Sequence, residues 1–139
     1  MPVSLATPPR RVLVVDDCAL QREMLSTYLE AEGYSVLAVE SGAQALGAAR
    51  GEPFDAVILD VNMPGMDGVD VGLALRRDPA TRGAKIAMHT SEDEAVVRSR
   101  FGLFDEFLPK PATRAQLGER IGRMMRSDAS ATRPAPSGS

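Results

Sequence analysis

The chain has 139 residues, of which 44% are hydrophobic and 25% are charged, a composition typical of one globular domain. The formal net charge of −3 does not suit a nucleic-acid or anionic membrane surface, so we expect no direct DNA binding and no membrane association. Cys18 is the single cysteine and residues 1–11 lack the apolar stretch of a secretory signal, which together predict a cytoplasmic protein.

The two ends of the chain differ in composition from its middle. Residues 1–9 contain three prolines and no periodic pattern, which predicts a flexible arm. Residues 127–139 are rich in serine, alanine and proline, which predicts a disordered tail. We therefore expect the folded domain to occupy residues 10–126.

Short apolar runs alternate with helical patterns through this middle part. The predicted strands are residues 12–15, 35–39, 56–59, 86–88 and 106–108. The predicted helices comprise one with the apolar series Leu20, Met24, Leu25, Tyr28 and Leu29, three over about 41–50, 67–77 and 92–101, and a last one with Leu117, Ile121, Met124 and Met125 on one face. This (βα)5 order predicts an α/β fold with a parallel sheet between two layers of helices.

Acidic residues follow two of the predicted strands. Asp16 and Asp17 come after the first strand, and Asp60 comes after the third. The carboxyl ends of parallel strands share one edge of the sheet, where ligands bind in such folds. Clustered carboxylates repel one another unless a cation lies between them, and oxygen ligands suit Mg²⁺. The pattern predicts a Mg²⁺ site, with Mn²⁺ as a substitute; separately solvated loop carboxylates are the alternative.

Two further polar residues follow the other strands of this edge. Thr90 ends the fourth predicted strand, and Lys110, which precedes Pro111, ends the fifth. A carboxylate is a nucleophile for phosphoryl transfer, and a cation with a lysine neutralises charge on the transferring group. A hydroxyl at the same edge offers a hydrogen bond to a phosphoryl group. The set of residue types therefore indicates phosphoryl chemistry on a carboxylate.

Four segments in this order and spacing resemble bacterial response-regulator receiver domains. They are VLVVDD at 12–17, VILDVNMPGMDG at 57–68, the Thr90-Ser91 step and FLPKP at 107–111. The resemblance covers about residues 10–126. It implies a doubly wound, flavodoxin-like sheet with strand order 2-1-3-4-5.

The resemblance also implies roles for the residues of the acidic cluster. Asp60 is expected to be the phosphoacceptor and a metal ligand. Asp17 is expected to bind Mg²⁺ directly, and Asp16 to help, in part through water. Asn62 is expected to offer its backbone carbonyl to the metal.

The resemblance assigns the remaining residues to catalysis and switching. Lys110 is expected to pair with the phosphoryl group, and the Lys110-Pro111 bond to be cis. Thr90 is expected to be the switch hydroxyl, and Phe107 the aromatic residue whose rotamer follows it. No organic cofactor is implied.

These roles predict a phosphorylation-controlled signalling module rather than a turnover enzyme. The phosphoryl donor is expected to be a phosphohistidine of a sensor histidine kinase or a histidine phosphotransfer protein. We expect output through a downstream protein target or phosphoryl relay, from a monomer or weak dimer. A degenerate receiver acting as a protein-interaction scaffold is the alternative. A haloacid-dehalogenase-type phosphatase is disfavoured because it needs a second acid where Asn62 stands.

Three other features of the sequence have ordinary and functional interpretations. Cys18 is interpreted as a small helix-start residue rather than a redox group, because the two aspartates before it disfavour the thiolate. His89 is expected to turn away from the face of Thr90 and to contact a helix, rather than to carry phosphate or act as a ligand. Phe101, Leu103 and Phe104 replace a turn of small residues in the family, and they either fill space beside a short fourth helix or form an exposed apolar patch.

Overall fold

The structure, a computed structural model, describes residues 9–129 and contains five strands and five helices in strict alternation. The strands are β1 Arg11–Val15, β2 Ser35–Val39, β3 Ala56–Asp60, β4 Lys85–Thr90 and β5 Glu106–Pro109. The helices are α1 Ala19–Ala31, α2 Gly42–Gly51, α3 Gly68–Arg77, α4 Glu94–Arg100 and α5 Arg114–Ala129. The predicted (βα)5 order is confirmed.

All five strands pair in parallel in one sheet with the order β2-β1-β3-β4-β5, which confirms the predicted topology. The centre of the sheet is buried on both faces, and every residue of β3 and β4 is buried. Continuous apolar runs produce this pattern because alternate side chains enter cores on opposite faces of the sheet. The edge strand β2 is only partly buried.

Two apolar cores lie on the two faces of the sheet. One contains Leu13, Leu59 and Met88 and includes residues of α2, α3 and α4. The other contains Val14 and Ile58 and includes residues of α1 and α5. The two layers fix the strand ends that carry the polar residues of the predicted site.

The predicted apolar face of α1 is only partly correct. Leu25 and Leu29 are buried, whereas Leu20 is 72% exposed and Met24 is 39% exposed. Consecutive residues of a helix are about 100° apart, so Leu20 and Met24 share one side while Leu25 and Leu29 share the next. Only the second side faces the sheet.

The start of α4 differs from the predicted one, whereas no bounds were predicted for α5. Helix α4 is short, as the sequence indicates, but it begins at Glu94 rather than Glu92. Helix α5 continues to Ala129, beyond the predicted domain boundary at residue 126. Residues 1–8 of the predicted arm and 130–139 of the predicted tail lie outside the described residues. None of the helices within 9–129 combines the length and apolar character needed to cross a bilayer.

Candidate functional site

The carboxylates after β1 and β3 converge at the carboxyl edge of the sheet. Oxygen atoms of Asp16, Asp17 and Asp60 all lie within 4.8 Å of one another. Asp16 and Asp60 are buried, while Asp17 is exposed. The two buried positions arise because β1 and β3 are adjacent in register, so that the residues that follow them leave the sheet side by side.

Lys110 places the positive charge of the site between the two buried carboxylates. Its Nζ donates to Oδ2 of Asp16 at 3.0 Å and to Oδ1 of Asp60 at 3.4 Å. The backbone N–H of Lys110 donates to the carbonyl of Thr90 at 2.8 Å, which ties the lysine to the end of β4. The Lys110-Pro111 peptide bond is cis, as the resemblance implies.

The fold opposes ionisation of the Asp60 carboxyl group. Burial is the largest cause that raises the pKa of Asp60 and the Asp16 carboxylate also raises it, so that the net pKa rises from 3.8 to about 6. Lys110 lowers the pKa through its charge and hydrogen bond, and so does the backbone N–H of Asn62, 3.3 Å from Oδ1 of Asp60. Desolvation is the largest effect, so the carboxylate is poorly compensated by protein groups alone.

This imbalance and the donor atoms present fit a hard divalent cation. Three carboxylates meet one lysine, and cations such as Mg²⁺ take carboxylate and carbonyl oxygens as ligands. Both oxygens of Asp16 already accept hydrogen bonds, one from Lys110 and one from the backbone N–H of Cys18 at 2.9 Å. Within residues 9–129, the carboxylate oxygens of Asp17 accept no hydrogen bond. Of these two aspartates, Asp17 is therefore the one whose carboxylate oxygens are more available to a metal ion.

Thr90 lies at the same edge, at the end of β4. Its Oγ1 accepts a hydrogen bond from the backbone N–H of Glu92 at 3.0 Å and faces Nδ2 of Asn62 at 3.4 Å. The sequence singled out Asn62 only for its backbone carbonyl, and the structure adds this side-chain link between the acidic loop and Thr90. Hydroxyl, amide and carboxylate thus form a connected polar rim.

A glycine allows α3 to begin directly beside the end of β3. A Cβ atom at Gly68 would lie 2.3 Å from the backbone oxygen of Asp60, a distance at which the two atoms would overlap. The helix is capped by Asp67, whose side chain accepts from the backbone N–H of Asp70 at 3.0 Å, with a reciprocal bond that completes a capping box. The turn before it contains Gly65 at a φ of 74°, where glycine is favoured.

Phe107 is buried on the same face of the sheet as Thr90. Its ring packs against Phe104 with centroids 6.1 Å apart. Phe101 and Phe104 are themselves buried, whereas Leu103 is 60% exposed. Two of the three bulky residues therefore fill space beside the short α4, and Leu103 alone remains at the surface.

Two residues near the site were not predicted to take part in it. Arg22 of α1 donates from its guanidinium to the backbone carbonyl of Asp16 at 2.8 Å. Its place in the first turns of the helix after the acidic pair is the signal that could have identified it. His89 is separated from Thr90 by strand alternation, as expected, but it is in register with Asp60 on the neighbouring strand.

The environment of His89 keeps the imidazole neutral. The side chain is buried, and its Nδ1 has no hydrogen-bond partner among the residues that the structure describes. Burial, the largest cause, and the positive charge of Lys110 lower the pKa of His89 to about 4, against a smaller opposing effect of Asp16. A phosphate-carrying role for this histidine has no structural support.

Comparisons with known proteins agree on one family. A model of the response regulator receiver domain matches residues 12–122. The DNA-binding response regulator MtrA of Mycobacterium tuberculosis strain H37Rv is 36% identical over 123 residues, which are 88% of this chain and 54% of that protein. The sensor histidine kinase GacS of Pseudomonas protegens is 36% identical over 124 residues, which are 85% of this chain and 13% of that protein.

Solved structures give the same result. The chemotaxis protein CheY4 of Vibrio cholerae superposes with a TM-score of 0.80 at 31% identity, covering 84% of this chain and 98% of that one. A sensor protein from Polaromonas sp. JS666 superposes with a TM-score of 0.78 at 29% identity, covering 86% and 98%. The chain spans about half the length of the curated MtrA relative, 54%, but nearly the full length of these structures.

Proposed function

The chain belongs to the response regulator receiver family of two-component signalling, and from its site we propose that Asp60 is the acceptor of a Mg²⁺-dependent phosphoryl transfer. The observation that carries the assignment is the cluster of three carboxylates within 4.8 Å of one another, with the ammonium of Lys110 3.4 Å from Asp60. Of the three, Asp60 alone ends a central strand with both the lysine and the Asn62 backbone N–H at its side chain.

The proposed donor is a phosphohistidine of a sensor histidine kinase or a histidine phosphotransfer protein. A carboxylate oxygen of Asp60 attacks phosphorus, the bond from phosphorus to the histidine nitrogen breaks, and the imidazole leaves. Lys110 stabilises negative charge on the phosphoryl oxygens, for which its ammonium needs to move from Asp16 towards the new group. Water then attacks the acyl phosphate to regenerate Asp60 and release phosphate. The chain thereby catalyses only its own phosphorylation and dephosphorylation.

The proposed metal ligands are Asp17, Asp60 and the backbone carbonyl of Asn62, with Asp16 assisting. The exposed Asp17 and the two engaged oxygens of Asp16 support this division between a direct ligand and a helper. When bound, Mg²⁺ supplies charge neutralisation of the acidic cluster and of the incoming phosphoryl group, and Mn²⁺ satisfies the same oxygen donors.

The proposed output is a change in the surface that a downstream protein recognises, or a phosphoryl relay, from a monomer or weak dimer in the cytoplasm. The absence of direct DNA binding, expected from the net charge, remains a prediction. The MtrA relative is named as a DNA-binding regulator, and this chain matches only 54% of its length. DNA binding is therefore a property named for MtrA, and the comparisons do not support the expectation that this chain lacks it.

Phosphorylation of the purified chain tests the proposal. Acetyl phosphate or phosphoramidate with Mg²⁺ is expected to add one phosphoryl group by intact mass, and EDTA to prevent the addition. Asp60→Asn is expected to remove the labelling, whereas Asp93→Asn, a change at an exposed acid before α4, is expected to retain it. Labelling that persists in Asp60→Asn would refute the acceptor, and a wild-type chain that is never labelled would favour the scaffold alternative.

A further inference from the structure

Three phenylalanines form a continuous row from β5 to α4. The ring centroids of Phe107 and Phe104 are 6.1 Å apart, and those of Phe104 and Phe101 are 6.4 Å apart, both with tilted planes. All three side chains are buried in the same core. At these separations the rings are in the range of favourable aromatic pairs, so a displacement of one ring disturbs the next. We call Phe101, Phe104 and Phe107 the phenylalanine row.

The far end of the row is seated on α3. A Cβ atom at Gly72 would lie 2.6 Å from Cε2 and 2.8 Å from Cζ of Phe101, so the ring occupies the place where a side chain would otherwise be. Phe101 is 2% exposed and follows directly after the last residue of α4. Such close packing leaves no room for the ring to move without moving the helix or itself leaving the slot.

The row is held on its outer side by charged residues of the neighbouring helices. The guanidinium of Arg98 on α4 lies over the ring of Phe104 at 4.2 Å from its centroid. Arg76 of α3 donates to the backbone carbonyl of Leu103 at 3.0 Å and to Asp105 at 2.9 Å. The segment between α4 and β5 is thus attached to α3 by hydrogen bonds and to α4 by a cation–π contact, and it is not a free loop.

From this packing we propose that the phenylalanine row transmits the position of Phe107 to α3, so that the surface of α3 responds to phosphorylation. The inference rests on the proposed function, because the switch at Thr90 and Phe107 is its input. Phe104 lies against Phe107 and Phe101 lies against Phe104, so a change of rotamer at Phe107 disturbs both of the other rings. The ring of Phe101 packs against Gly72, so the row contacts α3 at the middle of that helix.

Hydrogen exchange with and without Mg²⁺ and beryllofluoride, a mimic of the phosphoryl group, tests the inference. Peptides over 72–77 are the readout, because the first turn of α3 lies beside Asp60 and responds directly to the site. In the wild-type chain the mimic is expected to change exchange in 72–77 by at least about threefold. Phe104→Leu keeps an apolar side chain but removes the middle ring, and it is expected to lose this change while residues 90–93 still respond.

Two further variants make the result specific to the row. Leu103→Ala alters an exposed side chain of the same segment and is expected to leave the response of 72–77 intact. Gly72→Ala disturbs the other end of the row and is expected to change exchange around Phe107 before any mimic is added. An unchanged response of 72–77 in Phe104→Leu, or its absence in the wild-type chain, would overturn the inference. Intact-mass phosphorylation of each protein shows separately whether the proposed acceptor chemistry is present.

Discussion

The ammonium group of Lys110 lies 3.0 Å from Oδ2 of Asp16, so the lysine is held by a buried carboxylate other than the proposed acceptor. Its distance to Asp60 is longer, 3.4 Å. The two contacts give the lysine a position from which a small movement transfers it from one carboxylate to a phosphoryl group on the other. The ion pair with Asp16 thus keeps the ammonium group of Lys110 at the site.

The function of Lys110 should depend on the shape of its ammonium group as well as on its charge. Lys110→Arg replaces a compact ammonium with a larger planar group that prefers two parallel hydrogen bonds. We expect labelling by acetyl phosphate to continue at a reduced rate, and the exchange response of 90–108 to beryllofluoride to weaken. Arg50→Lys, an exposed change in the last turn of α2, alters a cation away from the site and serves as the control. A wild-type response in Lys110→Arg would contradict the assigned role.

Metal binding should depend on Asp17 in particular. A ligand that binds only the folded chain raises its stability, and Mg²⁺ at about ten times its dissociation constant adds about 1.4 kcal/mol, a few degrees in Tm. We expect Asp17→Ala to lose this Mg²⁺-dependent shift and Asp93→Ala to keep it. Thermal melts in EDTA and in increasing Mg²⁺ measure both. Equal shifts in wild type and Asp17→Ala would show that Asp17 is not a ligand.

The pKa of Asp60 predicts a pH-dependent cost to stability. The pKa is about 6 in the folded chain and 3.8 for an unperturbed aspartic acid side chain, so the folded state holds the proton more tightly. The stability that this carboxyl contributes is present below pH 3.8 and is lost as the pH rises through about 6. The difference of about two pKa units corresponds to about 3 kcal/mol above that pH.

Asp60→Asn should therefore stabilise the chain at neutral pH in EDTA. We expect the free energy of unfolding to rise by up to about 3 kcal/mol at pH 7.5, and the gain to shrink as the pH falls through 6 towards 4. Urea unfolding at a series of pH values measures the difference between wild type and variant. A gain that does not vary with pH would mean that the charge of Asp60 is not its source.

The fold and most of the site follow from features that are local in the sequence. Each strand is a short apolar run bounded by a turn, and each site residue comes directly after such a run. The carboxyl ends of parallel strands necessarily share an edge, so Asp16, Asp60 and Lys110 meet without any further information. Ser41, at the start of the second predicted helix, caps it by accepting a hydrogen bond from the backbone N–H of Gln44 at 3.1 Å.

The features that the sequence did not predict depend on neighbours that are distant along the chain. Leu20 and Met24 have helical spacing, but only the orientation of α1 on the sheet decides that they are exposed. The pairing of His89 with Asp60 depends on the register of β3 and β4. The slot for Phe101 exists because Gly72 of another helix lies beneath it. Periodicity within one element contains none of these relationships.

Transmission of a change at Asp60 to residues 90–108 should depend on the hydroxyl of Thr90. In the structure Oγ1 of Thr90 accepts from the backbone N–H of Glu92 at 3.0 Å, and so holds the start of the segment that leads into α4. A phosphoryl group on Asp60 adds charge and strong acceptor oxygens, and the hydroxyl gains a second partner that competes with this bond. We expect this competition to shift residues 90–108 between two packings.

Thr90→Val removes the hydroxyl with little change in volume, and Thr90→Ser keeps it as the matched control. We expect both variants to be phosphorylated on Asp60, because neither change removes an acid or Lys110. Hydrogen exchange with beryllofluoride is expected to show its largest change within 90–108 in wild type and Thr90→Ser, since the seven residues of α4 have few contacts to hold them. Thr90→Val should lose most of that change. A response concentrated in α1 or α2, or an undiminished response in Thr90→Val, would mean that the signal leaves Asp60 by another route.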